Sequence, residues 1–123
     1  LLALLAVILG AFGAHALKQI LTPELQISFE TGVRYQFYHA LGLILLSVYG
    51  NTKPGKHIRV IFRLLLIGVL LFSGSIYILC FLKTYTQLSP GAFALLTPLG
   101  GLLMISGWGY WLYTTWITQQ ETE

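Results

Sequence analysis

The sequence predicts an all-α integral membrane protein, a four-helix bundle with an amphipathic extension before its second span. Three observations carry that expectation. Hydrophobic residues make up 56% of the 123 and charged residues only 9%, where an ordinary soluble domain is about one quarter charged. Mean hydropathy is +0.77. Four apolar stretches, at about 1–17, 36–50, 60–82 and 92–116, are divided by short polar turns, and four spans of about 20 residues would consume most of such a chain as one membrane domain. This composition excludes a disordered chain, which lacks apolar residues to bury, and a conventional water-soluble enzyme.

The first span carries no formal charge before Lys18, and its first polar side chain is His15. The chain starts without Met, so a longer natural N-terminus is expected. Ala14, His15 and Ala16 resemble the small-x-small site that follows a signal peptide, but the Gly and Ala spacing of the segment suits a packed span better.

The second apolar run is short, yet helical periodicity starts before it. Leu25, Phe29, Val33 and Phe37 recur every fourth residue, one stripe of a helix. Thr22 is placed to cap that helix, with Pro23 at its first position and Glu24 at the positive end of its dipole. Glu30 and Arg34 stand four apart in the favourable order. An unbroken helix from Pro23 to Gly50 would be about 42 Å long against a hydrocarbon core of about 30 Å. Its first turns must therefore project from the membrane or lie along it.

Residues 51–56, with Pro54 and Gly55, form the clearest turn in the chain. The third span follows. A loop over 83–91 contains Ser89, Pro90 and Gly91, and a polar, acidic tail at 119–123 follows the fourth span. There is no internal repeat and no low-complexity segment.

Basic residues next to span ends predict orientation. Lys53, Lys56, Arg59 and Arg63 cluster with His57 around the central turn, whereas the other two connections carry Lys18 with Arg34, and Lys83. The 51–59 turn and both termini are thus expected on the cytoplasmic side of a bacterial inner membrane, or the matrix side of a mitochondrial one. Tyr49, Trp108, Trp111, Tyr113 and Trp116 suit an interfacial belt there, with Tyr35, Tyr38 and Tyr85 at the opposite face. The basic turn would also attract anionic lipid, although topology alone accounts for it. A net charge of +3 is too sparse for nucleic acid. Cys80, the single cysteine, lies in an apolar run and has no intrachain partner.

Small residues are the main packing signal in a bilayer, where lipid tails compete for apolar surface. Ala6, Gly10 and Ala14 form a small-xxx-small row with Gly13 beside it. Gly68, Ser73, Gly74 and Ser75 mark the third span, and Gly100, Gly101, Gly107 and Gly109 the fourth. Close packing inside one bundle is the expected use of these residues, with oligomer contacts second. Pro98 removes a backbone hydrogen bond and should kink the fourth helix. Thr97, Ser73 or Ser75 is expected to answer the carbonyl it frees.

Four stretches, 10–18 (GAFGAHALK), 34–41 (RYQFYHAL), 71–79 (LFSGSIYIL) and 97–108 (TPLGGLLMISGW), are weak singly. In their order and spacing they resemble the transmembrane-protein-256-like family, also called domain of unknown function 423. The resemblance implies a small four-span membrane protein of bacteria with relatives in animals. It implies no activity and no site residues.

Candidate chemistry rests on ionisable and hydroxylic residues inside the spans, which are costly there and usually face a bundle interior or a polar cavity. His15 and His39 are both expected in the outer half of the bilayer, near Ser75, Tyr77 and Thr97, with Arg34 at the rim. Histidine can ligate metal or relay a proton, but a closed zinc site needs four ligands and only these two fall together, so no metal site is assigned. No nucleophile motif and no phosphate-binding loop is present, which makes an enzyme the weaker class, and the residues name no cofactor. The leading expectation is a structural or accessory subunit surrounded by membrane lipid that packs into a homo-oligomer or larger membrane complex. Its rival is a binding or transport protein with a small outer-half cavity for a metal, a quinone-like molecule or a lipid.

Overall fold

The computed structural model describes residues 1–86, Gly91 and 93–120, with the backbone alone at Gln119. Ser89, Pro90, Ala92 and the acids of the tail, on which parts of the third loop, the fourth span and the polar terminus were placed, lie outside the described residues. Four α-helices follow one another: α1 (Leu2–Ala14), α2 (Pro23–Thr52), α3 (Lys56–Tyr85) and α4 (Phe93–Gln120), with one 3-10 turn, Leu17–Gln19, after α1. Among the described residues there is no strand.

Local chemistry accounts for the ends of α2. Thr22 is extended, and its hydroxyl accepts from the Leu25 N–H at 3.4 Å, while Pro23 and Glu24 open the helix. At the other end only Lys53, Pro54 and Gly55 separate α2 from α3, so the two helices are held antiparallel. At about 45 Å, each exceeds a hydrocarbon core of about 30 Å.

Length and composition qualify three stretches to cross a membrane: Leu2–Gln19, Lys56–Tyr85 and Phe93–Thr118. The expected second span is the exception. Its helix carries Gln26, Glu30, Arg34, Gln36 and His39 in succession, and these outweigh the apolar run that follows.

Backbone contacts join helices adjacent in sequence: α1 to α2, α2 to α3, and α3 to α4. Among the described residues the backbones of α1 and α4 stay apart, so the backbone arrangement is a chain of helices rather than a closed four-membered ring. Two apolar clusters form its interior. Leu43, Leu46, Ile61 and Leu65 pack near the α2–α3 turn, and Phe29, Ile76 and Cys80 pack toward the far end. The outer surface is apolar too, with Val7, Phe12, Leu45, Leu102, Ile105 and Leu112 all largely exposed. An apolar exterior of this extent calls for lipid rather than water around it.

The tightest crossing is between α3 and α4. A Cβ added to Gly100 would stand 2.5 Å from the Phe72 nitrogen and 2.7 Å from the Gly68 carbonyl oxygen. Those atoms are backbone and cannot turn aside, so the two main chains touch because neither residue has a side chain.

Candidate functional site

Between the two apolar clusters lies a layer of polar side chains, each bonded across a helix boundary. Gln36 is at its centre, only 5% exposed. Its Nε2 donates to the Leu2 carbonyl on α1 at 2.9 Å, and its Oε1 accepts from the Tyr77 hydroxyl on α3 at 2.9 Å. One amide thereby joins three helices. Next to it the buried Ser73 hydroxyl donates to the Gly32 carbonyl at 2.8 Å. Gly32 is what admits the tyrosine: a Cβ there would be 2.9 Å from Tyr77 Cε1.

His39 occupies the same layer, one turn nearer the α2–α3 connection. Its Nδ1 lies 2.8 Å from the Tyr35 carbonyl and its Nε2 lies 3.1 Å from the Trp108 indole nitrogen. An indole N–H only donates, so Nε2 is the acceptor and the proton resides on Nδ1. Both ring nitrogens are thus engaged, and no lone pair is left for a metal unless one of these bonds breaks. Gly42 makes room for the indole, since a Cβ there would meet Trp108 Cζ2 at 3.0 Å. Tyr35 stacks on His39 and packs against Phe72, with ring centroids 4.8 Å apart in the second pair.

A further bond joins α3 to α4. Ser75 donates to the Phe72 carbonyl at 2.9 Å, and a hydroxyl has one proton. In the 2.6 Å contact between Ser75 and Thr97, Thr97 is accordingly the donor. These assignments overturn the expectation that Thr97, Ser73 or Ser75 answers the carbonyl Pro98 frees, because all three direct their protons elsewhere. Pro98 also lies in the second turn of α4, leaving little helix before it to swing.

The two histidines are not brought together. α1 runs antiparallel to α2 in a register that sets Gln26 on the Gly13 carbonyl and Gln36 on the Leu2 carbonyl. His15 is thus beyond the level of Gln26, and His39 is thirteen residues further along α2, about 20 Å away. His15 is exposed, with Nδ1 on the Ala11 carbonyl of its own helix at 3.1 Å. Arg34 is also exposed and donates to Thr31, on the same face of α2. Of the predicted cavity residues, His39, Tyr77, Ser75 and Thr97 do face helix boundaries, but as bonded pairs.

Packing residues divide similarly. Gly10 and Gly13 face α2, where a Cβ would be 3.3 Å from Val33 Cγ1 and 3.0 Å from Phe29 Cε1 respectively. Gly74 has nothing within 4 Å of such a Cβ, Gly101 has nothing nearer than 3.9 Å, and Ala14 is exposed. Among the described residues Gly74 and Ala14 therefore make no close helix contact, and Gly101 comes only within ordinary contact distance of the Phe72 ring.

Gln36, Gly32 and Gly42 were missed by the sequence reading. The buried face of α2 contains Phe29, Gly32, Gln36, His39, Leu43 and Leu46, spaced alternately three and four apart. That is the seam of a left-handed helix pair, and the every-fourth-residue stripe of Leu25, Phe29, Val33 and Phe37 runs obliquely across it. An amide between Tyr35 and Phe37 was the available signal, on the same cost argument that singled out His39.

Apolar-surfaced helices with their interior polar groups bonded to one another define a small helical membrane protein. The chain belongs to the family described as Protein of unknown function (DUF423), whose pattern matches residues 9–101. It is 42% identical over 99 residues to a UPF0382 membrane protein of Staphylococcus haemolyticus, covering 80% of this chain and 75% of the relative. The UPF0382 membrane protein YwdK of Bacillus subtilis is 41% identical over 107 residues, 86% of this chain and 82% of the relative. A UPF0382 membrane protein of Schizosaccharomyces pombe is 40% identical over 110 residues, 85% and 86%. No solved structure matches.

Proposed function

We propose that the protein is a structural component of the membrane, not an enzyme, with all four helices crossing the bilayer and with α4 as its surface for self-association. α2 qualifies as a span on this reading because the cost of its polar residues is met inside the protein: Gln36 and His39 are buried and bonded. Its first turns, with Glu24 and Glu30, project beyond the hydrocarbon. The charge of Lys53, Lys56, Arg59 and Arg63 favours the cytoplasmic side for the α2–α3 turn, for the end of the bundle from which α1 enters and for the C-terminal end of α4. Relatives in Bacillus and Staphylococcus favour the bacterial plasma membrane as the location.

The observation that carries the assembly reading is a seam on α4. Leu95, Leu102, Ile105, Leu112 and Trp116 are each more than 60% exposed, and with Pro98 and Gly109 they follow alternating spacings of three and four. Apolar exposure alone would suit lipid equally well. Gly109 differs, having no atom within 4 Å of a would-be Cβ, and such an open glycine lets a second helix approach closely. Copies inserted in one orientation can pair only about an axis normal to the membrane, so the seam would meet itself in parallel, residue against like residue.

Cysteine cross-linking in native membranes tests this. Leu112→Cys in a Cys80→Ser background should oxidise to a disulfide-linked dimer, whereas Leu99→Cys, exposed but off the seam, should not. Equal cross-linking at both positions, or at neither, would overturn the assembly through α4.

A further inference from the structure

A cavity of about 630 Å³ opens at the α2–α3 turn, between the last turn of α2 and the first turn of α3. Cavities that hold small ligands run from about 300 to 1,000 Å³. Its polar wall is built by Asn51, Lys56 and Arg59. Gly55, the residue before α3, supplies no side-chain cap, so the positive end of that helix faces the same space. The described acids, Glu24 and Glu30, are at the opposite end of α2. Ser47 and Asn51 are shared with a second, apolar groove of about 420 Å³ that continues between α2, α3 and the start of α1, past Val48, Ile44, Phe62 and Leu2. The Tyr49 and Trp111 rings, 6.1 Å apart, stand close by, at a height suited to the headgroup boundary.

A cationic, hydrogen-bonding pocket that joins an apolar groove at the end of membrane helices has the two-part chemistry of a phospholipid. We infer that the α2–α3 cavity is a headgroup site for an anionic phospholipid, with Lys56 and Arg59 on its phosphate and the groove beside Val48 and Phe62 on an acyl chain. This goes beyond the structural role: orientation requires only positive charge near the turn, whereas the site requires particular charges. Lys53 and Arg63 also carry charge there but do not line the cavity.

Native mass spectrometry of protein reconstituted in nanodiscs, of equal parts phosphatidylglycerol and phosphatidylcholine, separates the two. The natural chain should retain phosphatidylglycerol through delipidation in preference to phosphatidylcholine. Lys56→Gln/Arg59→Gln should lower that retention at least tenfold, and Lys53→Gln/Arg63→Gln, with the same loss of charge, should leave it within twofold. Equal loss in both double variants would mean a general field rather than a site and would overturn the proposal, as would unchanged retention in both. Release of the lipid by an equal concentration of inorganic phosphate would assign the cavity to free phosphate and overturn the lipid reading. A Val48→Trp/Phe62→Trp variant, which fills the groove and keeps every charge, should also lose retention. If it keeps full retention, the acyl-chain half of the proposal fails.

Discussion

The indole nitrogen of Trp108 donates to Nε2 of His39 over 3.1 Å, joining α4 to α2 although their backbones make no contact. α3 stands between the two helices along the backbone path, and this bond reaches past it. It sets the height of α4 against α2 and fixes the histidine as the Nδ1–H tautomer. Trp108 also stacks on Trp111 at 5.4 Å, and Trp111 lies against Tyr49. One hydrogen bond and a run of aromatic rings thus tie α4 to α2, beside its direct packing on α3.

Gln36 and Tyr77 should behave as a unit. Gln36→Leu leaves the Tyr77 hydroxyl and the Leu2 carbonyl without their partner in a place lipid cannot hydrate, at a cost of about 1–2 kcal/mol. Tyr77→Phe should cost less in the Gln36→Leu background than in the natural chain. Steric-trapping measurements of stability in bicelles read both values, and a full second cost would show that the bond is idle.

Gly100 on α4 and Gly74 on α3 should respond differently. Gly100→Ala drives a methyl group into the backbone of α3, and overpacking of this kind costs about 1–3 kcal/mol. Gly74→Ala meets open space and should stay within about 0.5 kcal/mol of the natural chain. Thermal denaturation in a mild detergent distinguishes them, and similar losses in both would contradict the α3–α4 crossing described above.

The histidines should also separate. His15→Ala removes a bond within one exposed helix end and should change stability by less than about 0.5 kcal/mol. His39→Ala leaves the Trp108 N–H without its acceptor and opens a gap where the buried imidazole stood, with an expected loss of about 2 kcal/mol or more. The same denaturation series reads both, and equal effects would restore a shared role for the two rings.

Orientation has its own test. Neutralising Lys53, Lys56, Arg59 and Arg63 together should invert or mix the topology reported by C-terminal fusions to alkaline phosphatase and green fluorescent protein. Unchanged orientation would refute the charge argument.

What was legible in the sequence was chemistry that acts over a few residues. Thr22, Pro23 and Glu24 start a helix wherever they are placed, and Pro54 with Gly55 breaks one, so the bounds of α2 and α3 follow closely. His39 was recognisable as interior because a histidine in a span needs shelter. Its partner was not, since the pairing with Trp108 depends on how far α4 slides along α3. Neighbouring glycines illustrate the same limit: Gly100 touches backbone and Gly101 does not, because about 100° of helix rotation separates them. His15 was assigned to the wrong company for want of the α1–α2 register. Gln36 carries the same signal as His39, since an unpaired amide is also costly in lipid.

The central claim is that interior polar residues serve the fold by bonding to one another across helix boundaries. A double-mutant cycle on His39→Leu and Trp108→Phe, read as unfolding free energy in bicelles, tests it most directly. The account predicts that the two changes are non-additive by about 0.5–1.5 kcal/mol, the double variant losing less than the sum of the singles. Additivity within about 0.3 kcal/mol would show that the two side chains meet without holding α4 to α2.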